Sequence, residues 1–289
     1  MSYLNTEANI SSFVLDVQEH AFQVIRDTAV LRTLVMNKND KTGLAPRDFY
    51  QLPTGTALSI AESTDLSGAA WTPTAGSTLT PAEIGLQYFV SDSRVETKTD
   101  VEDVMVEAAR ELGLAASDKI ESDLATDVTL LTGATIGTAG SALSWANFYA
   151  AVTCVRAAVK SRVAPLVAVL HEYQWYYLAK AASIAAAAAT PSTPQFSDRI
   201  TSAWYVQTVD NVDIYVSTLV ANNATSGTAG VWAKDAIALD WRRPIRIEAE
   251  RDASRRGVEL NMSGIYAHGI VRGALGAQII SACAAPTGA

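Results

Sequence analysis

A Gly/Thr/Pro-rich extended stretch, Gly43 to Val95, runs directly into one long helical pattern, Thr99 to about Val128. After a mixed middle region the chain closes on alternating strands from Ile245 to Val271. This order constrains the fold more than any other feature. An extended segment of about fifty residues is far longer than an ordinary connection, and loops beyond about 12–15 residues are usually functional or disordered. Both flanks of this one alternate like strands, so it reads as a hairpin arm that reaches for a partner. Such a chain is expected to assemble rather than to catalyse.

The rest of the composition agrees. With 289 residues, 49% hydrophobic and 18% charged, the chain can bury a sizeable core as one large domain or two intertwined ones. A net charge of −8 argues against a surface that wraps nucleic acid, which is normally basic. The two cysteines, Cys154 and Cys283, do not form a spaced framework and read as reduced thiols. Residues 1–30 show no basic head followed by an apolar run, so no secretory signal is expected. The longest apolar run, Ala179–Ala189, contains Lys180 and Ser183 and is too short to span a bilayer.

Phe13, Val17, Ala21, Val24, Thr28, Leu31 and Val35 recur at three- and four-residue steps. That spacing is one face of an amphipathic helix, expected to stop at Asn37–Gly43. Within the arm, Ala57–Ile60 alternates weakly and Leu66–Ser77 reads as a small-residue tip carrying Trp71. An aromatic residue at such a tip can anchor a partner. Ile84, Leu86, Tyr88 and Val90 share one parity, the mark of a strand with one apolar side.

Thr99-Asp100-Val101-Glu102 is a capping box in front of the long helix. Val101, Val104, Met105, Ala108, Leu112, Ala115 and Ile120 are expected to face the core. Asp103, Glu107, Arg110, Ser117 and Glu121 are expected on the opposite, solvated face. Gly113 suggests a bend or a close contact. Farther on, Ser144 can cap a helix from Trp145 to about Ser161. Leu166–Leu170 is a short buried strand, and Glu172–Ala188 is a helix. Val212–Val216 is a strand, and Asn222–Gly230 reads as a loop. Strands at 245–250 and 258–262 form a ribbon with mixed charges on its polar side.

Catalytic chemistry finds little support. His20, His171 and His268 lie far apart, and no His/Cys pair has metal-ligand spacing. A Cys154–His171 pair is conceivable only if the fold brings the two together. No glycine-rich dinucleotide or phosphate loop occurs. No catalytic, cofactor-binding or metal residue is therefore assigned, and no cofactor is expected. Between residues 83 and 127, twelve acids face four bases, a pattern that usually marks a solvated helix face. The only basic cluster, Arg242, Arg243, Arg246, Arg251, Arg255 and Arg256, is interleaved with Glu248, Glu250, Asp252 and Glu259. That balance points to inter-subunit or cross-strand ion pairs rather than nucleic-acid contact.

Four stretches together resemble the major capsid proteins of tailed double-stranded-DNA bacteriophages, the Hong Kong 97-type fold. They are the arm from Ile60-Ala61-Glu62 through Thr78-Leu79-Thr80-Pro81-Ala82-Glu83, and the junction Tyr88-Phe89-Val90-Ser91-Asp92-Ser93-Arg94 leading to Thr99-Asp100-Val101. The third is Leu112-Gly113-Leu114-Ala115-Ala116 with Lys119-Ile120-Glu121-Ser122-Asp123. The last is the closing stretch from Ala236 through Arg251-Asp252 to Gly264-Ile265-Tyr266-Ala267 and Gly269-Ile270-Val271. Their order and spacing cover about three quarters of the chain.

The resemblance implies an α+β fold. It has an N-terminal arm with an amphipathic helix (1–43), an E-loop hairpin (44–95), a P-domain of spine helix and strands (96–132 and 242–272) and an A-domain (133–241 and 273–289). It also implies hexamers and pentamers tiling an icosahedral shell around double-stranded DNA, held without sequence-specific binding and without a membrane. The shell would be a virion capsid made in a bacterial host cytoplasm. Expected partners are further copies of the chain, a separate scaffolding protein, a portal and a decoration protein. A separate scaffold follows because no large cleavable leader precedes the first helix if Met1 is the start. An acidic lining would repel packaged DNA and keep it mobile. The alternative is an encapsulin-type nanocompartment shell enclosing a cargo enzyme. Interface candidates are Glu62, Leu66, Trp71, Arg94, Arg246, Glu248 and Arg251.

Overall fold

The computed structural model describes residues 30–51, 72–97, 101–160, 165–188, 205–223 and 225–286, together with Ser59, Glu62 and Ala70. The chain builds two sheets and a ribbon around one long helix. The four-stranded sheet has the order β1-β10-β11-β4. It comprises β1 (Met36–Lys38), β4 (Ala82–Ser91), β10 (Ile237–Asp252) and β11 (Gly257–Ile270). The six-stranded sheet has the order β5-β12-β9-β6-β8-β7. Its strands are β5 (Ala134–Gly137), β6 (Leu166–Leu170), β7 (Tyr205–Val209), β8 (Val212–Val216), β9 (Ser226–Ala233) and β12 (Gly276–Ala282). A separate two-stranded ribbon pairs β2 (Arg47–Gln51) with β3 (Thr74–Leu79). The helices are α1 (Leu31–Leu34), α2 (Asp92–Thr97), α3 (Val101–Val128), α4 (Trp145–Val159) and α5 (Glu172–Ala188).

Helix α3 holds 28 residues, or about 42 Å at 1.5 Å per residue. It runs unbroken through Gly113, which is buried. Thr99 and Asp100 of the expected capping box lie outside the described residues, as does most of the expected helix at 13–35. Leu112, Ile120 and Leu124 of α3 are buried with Leu31, Val35, Trp232, Ile237, Leu239 and Leu260 in the main core. The expected polar face needs correcting. Glu107 and Arg110 are exposed, but Ser117 and Glu121 are buried, because α1 covers the helix on that side. The Glu121 carboxylate accepts the backbone N–H groups of Leu31 (2.7 Å) and Arg32 (3.0 Å). It thereby satisfies donors that the first turn of a helix leaves unpaired. Burial pushes its pKa up against those hydrogen bonds.

A second core lies under α4, where Phe148, Val152 and Val155 pack on Leu166, Leu170, Ile214 and Ile279. Ser144 caps α4 as the sequence predicts, its hydroxyl accepting the N–H of Asn147 at 3.2 Å. The helix ends at Lys160 in the left-handed conformation (φ 56°).

Three expectations change. The helix stop at 37–43 comes earlier: α1 ends at Leu34, and Met36–Lys38 pairs in parallel with Ala238–Asp240. Residues 74–77, read as arm tip, belong to β3. The expected loop 222–230 contains the start of β9, an interior strand of the six-stranded sheet. The glycines there serve close packing rather than a turn. A Cβ on Gly230 would come within 2.5 Å of Val128 Cγ1.

Candidate assembly interface

Strand alternation gives the four-stranded sheet two different faces. Leu86, Tyr88, Ile247, Leu260 and Met262 turn to α3 and join the main core. The parity between them carries Gln87, Glu248, Glu250, Glu259, Asn261 and Ser263, and Gln87, Glu248 and Glu250 are exposed. Nearer the base of the sheet this second face is covered by the ribbon. Leu79 is buried with Ala238, Ala267 and Val271, and Met36 and Phe49 pack against them. Gly269, at φ +153°, lies where a Cβ would come within 2.8 Å of Leu79.

The arm is therefore rooted by a small apolar cluster, and charge reinforces it. Arg47, the first residue of β2, places Nε 2.8 Å from Asp240 Oδ2 and Nη2 2.6 Å from Asp40 Oδ1. Arg242 also approaches Asp240, with Nε at 2.9 Å. Asp240 and both arginines are buried. The Asp40 and Asp240 carboxylates hold Arg47 above its ordinary pKa. A buried charge needs such partners, since removal of one strands the others without solvent. Asp240 is thus the point on the sheet to which the root of the ribbon is tied.

The rim of the sheet carries exposed ion pairs. Arg251 meets Asp92 of α2 through two hydrogen bonds at 2.5 and 2.7 Å. Asp92 is accordingly held below the usual carboxylate range. Arg246 pairs with Glu248 two residues along the same strand at 3.3 Å, both half exposed or more. Arg243 pairs with Glu83 across the sheet, and Arg255 with Glu259 at 2.6 Å. Arg255 also lies over the Phe89 ring at 4.1 Å. Arg242, Arg243, Arg246, Arg251 and Arg255 each meet a carboxylate of their own chain, and of these Arg243 reaches across the sheet. Long strand β10 accommodates Pro244 where its register with β11 shifts, between Arg243 and Arg246, a position that needs no ladder N–H.

The interface candidates scatter. Arg246, Glu248 and Arg251 share the distal end of the β10–β11 hairpin. Arg94 is exposed on α2, and Glu62 is exposed in the arm. Leu66 and Trp71 lie outside the described residues. The structure adds surface residues that periodicity did not single out. Leu44 and Tyr50 are the most exposed large apolar side chains among the described residues, each 62% exposed, and both flank the arm root.

His171 and His268 make local packing and hydrogen-bond contacts, and His20 lies outside the described residues. His171 is buried; its Nδ1 accepts the backbone N–H of Tyr173 at 3.1 Å, and its ring lies 4.8 Å from that of Tyr173. Burial lowers its pKa. Cys154 is exposed on α4, and both cysteines are free. His268 of β11 places Nδ1 2.8 Å from Asp127 Oδ2 of α3, with Nε2 3.7 Å from Asp123 Oδ2. The Tyr266 hydroxyl donates to Asp123 at 2.6 Å, and Lys119 pairs with it at the same distance. This cluster bolts the end of α3 to the sheet. The bond to Asp127 raises the His268 pKa against burial. No group of three His, Cys, Asp or Glu side chains could hold a metal among the described residues. No described helix is long and apolar enough to cross a membrane.

No protein-family profile matches the chain, and no curated protein matches it. Solved structures do. The capsid structure of cyanophage P-SCSP1u superposes with a TM-score of 0.65 at 13% identity, over 90% of this chain and 89% of that one. The capsid of Ralstonia phage GP4 also gives 0.65, at 8% identity over 89% of each chain. A virus-like particle from Pyrococcus furiosus gives 0.59 at 9% identity, over 92% of this chain and 99% of that one. At these identities the likeness shows the fold, and the fold is the Hong Kong 97-like capsid fold in its α+β form.

Proposed function

We propose that this chain is the major capsid protein of a tailed bacteriophage, a structural subunit that self-assembles into an icosahedral shell around double-stranded DNA. The observation that carries this reading is end-to-end agreement with phage capsid subunits, about nine tenths of each chain. In this reading the β2–β3 ribbon is the root of the E-loop, α3 is the spine of the P-domain, and the six-stranded sheet is the centre of the A-domain. Hexamers and pentamers are the expected assembly units. A scaffolding protein, a portal and a decoration protein are the expected partners. The subunit is proposed to act without catalytic turnover.

The geometry supports an assembling role. An arm tied at its root by Arg47, Asp240 and Leu79 transmits force to the sheet and through it to α3. A pair of exposed apolar side chains beside that root, Leu44 and Tyr50, offers contact area to a neighbour. Large exposed apolar groups of this kind mark interaction surfaces when they cluster.

The encapsulin-type compartment shares the shell geometry, so the particle contents decide between the two. Particles isolated from the native source and treated with nuclease are expected to retain double-stranded DNA of uniform length. Particles filled with one cargo enzyme and lacking DNA would replace the phage reading with the compartment.

A further inference from the structure

We infer that the ribbon root is a separable joint: the Arg47–Asp240 bond opens by handing Asp240 over to Arg242, so that the β2–β3 ribbon lifts from its own sheet without baring a buried charge. The joint lies within one subunit and is tested apart from the shell reading above.

On the sheet side, one oxygen carries everything. Asp240 Oδ2 accepts from Arg47 Nε at 2.8 Å and from Arg242 Nε at 2.9 Å, and Arg242 Nη2 lies 2.8 Å from the same atom. Asp240 Oδ1 accepts no hydrogen bond from the described residues, and Arg242 Nη1 and Nη2 donate none to them. Both side chains are fully buried. Buried polar atoms without partners are uncommon and costly. Here the unused acceptor and the unused donors belong to a carboxylate and a guanidinium already in contact. A small turn of the Asp240 carboxylate gives Nε and Nη2 of Arg242 one oxygen each, the two-bond fork that arginine and carboxylate favour. That fork is incomplete while Oδ2 is shared with Arg47.

The other half of the joint travels with the ribbon. Arg47 grips Asp40 with two further bonds, Nη2 to Oδ1 at 2.6 Å and Nη1 to Oδ2 at 3.3 Å. The Asp40 side chain is 62% exposed and belongs to the link 39–46, every residue of which is exposed. Asp40 weighs more than Asp240 in holding Arg47 above its ordinary pKa. In the chain Asp40–Arg47–Asp240–Arg242, the middle link alone divides the network into neutral halves. Breaking either outer link leaves a net charge on one piece, and a bared buried charge is costly. The remaining hold on the ribbon is light. Among the described residues Leu79 is the one ribbon side chain buried against Ala238, Ala267 and Val271, with Phe49 partly buried beside it. Neither ribbon strand pairs with a larger sheet. Gly43, at φ +81° in open space, and exposed Thr80 stand in the two links that join the ribbon to the sheet.

Hydrogen exchange of the full-length, unassembled subunit reads the opening. A lone two-stranded ribbon is marginally stable in water, so its amides at 47–51 and 74–79 exchange once it lifts off. Arg242→Met removes the substitute cation, and opening then bares Asp240. Ribbon amides should exchange about tenfold more slowly than in the parent, the scale of one charged hydrogen bond. An Arg242 that merely strengthens the root gives the opposite sign, faster exchange. Arg242→Lys keeps the charge without the fork; it should slow exchange by less, and it carries the same test should the methionine variant not fold. Arg47→Met should speed ribbon exchange yet leave the thermal midpoint near that of the parent, because Arg242 keeps Asp240 paired. The double variant Arg47→Met with Arg242→Met should lose more in midpoint than the two single variants together, since each arginine stands in for the other. Faster ribbon exchange in the Arg242 variants, or midpoint losses that simply add, would overturn the joint and leave the capsid reading untouched.

Discussion

Glu121 shows how one side chain can invert a sequence expectation. By helical spacing it belongs with Glu107 on the solvated face, yet it is buried and accepts two N–H groups from α1. Replacing it with Ala should cost about 1–3 kcal/mol, the cost of leaving buried donors unaccepted, measured by denaturant unfolding. Burial raises its pKa above the ordinary 4.5. The native state therefore holds this proton more tightly than the unfolded state. Its contribution to stability falls as pH rises from about 4.5 through the raised value, and Glu121→Gln should remove that slope. His268 is also raised, here by Asp127. The groups facing it are Asp127, Asp123 and Lys119 of α3 and Tyr266 of its own strand. Its stabilisation is complete below the ordinary 6.5 and is lost as pH rises through the raised value. The thermal midpoint of His268→Gln should converge on that of the parent across that window. A difference that stays constant with pH would assign His268 a packing role alone.

Among the elements, those with strong periodicity were legible in the sequence. Helices α3, α4 and α5 and strands β4, β6 and β8 stand where helical spacing of about 3.6 residues or alternation of two put them. What was missed has a physical cause. β9 begins Ser-Gly-Thr-Ala-Gly, a composition that signals a loop locally. It survives as an interior strand because Val128, Leu131 and Trp232 fill the space beside Gly230. β5 and β12 were likewise unread, since each gains its pairing from residues distant in sequence, whereas β7 was missed although it pairs locally with β8 across the turn Asp210–Asn211. At the candidate interface the charged hairpin was legible, whereas the buried Arg47–Asp240–Arg242 network was not, because nothing in the sequence signals a contact 193 residues apart. The exposed pairs of that hairpin carry their own prediction. Arg246→Glu should change subunit stability by less than about 1 kcal/mol, as exposed ion pairs contribute little. Arg251→Glu, which sets a carboxylate against Asp92, should cost slightly more. Both should weaken assembly further than they weaken folding. Sedimentation of folded variants at unchanged assembly would show these arginines to be merely solvated.

At the scale of the whole molecule, one design recurs. The centre, α3 packed between the sheet and α1, carries a two-stranded ribbon whose root is tied to the sheet by Arg47 and Leu79. Under the proposed capsid function, the acidic balance of the chain, −8 overall, would keep enclosed DNA from adhering, because like charges repel. Everything then turns on whether the arm exists for neighbours. The direct measurement compares the parent with a variant in which residues 64–73 are replaced by a short Gly-Ser turn, sparing β3 from Thr74 onward. Both are expressed alone and with the neighbouring open reading frame, and followed by sedimentation and negative-stain electron microscopy. The parent should form closed shells. The shortened subunit should keep a thermal midpoint near that of the parent, since loop closure depends only weakly on length, and should yield only small, fragile oligomers. Normal, stable shells from the shortened subunit would contradict the account at its centre.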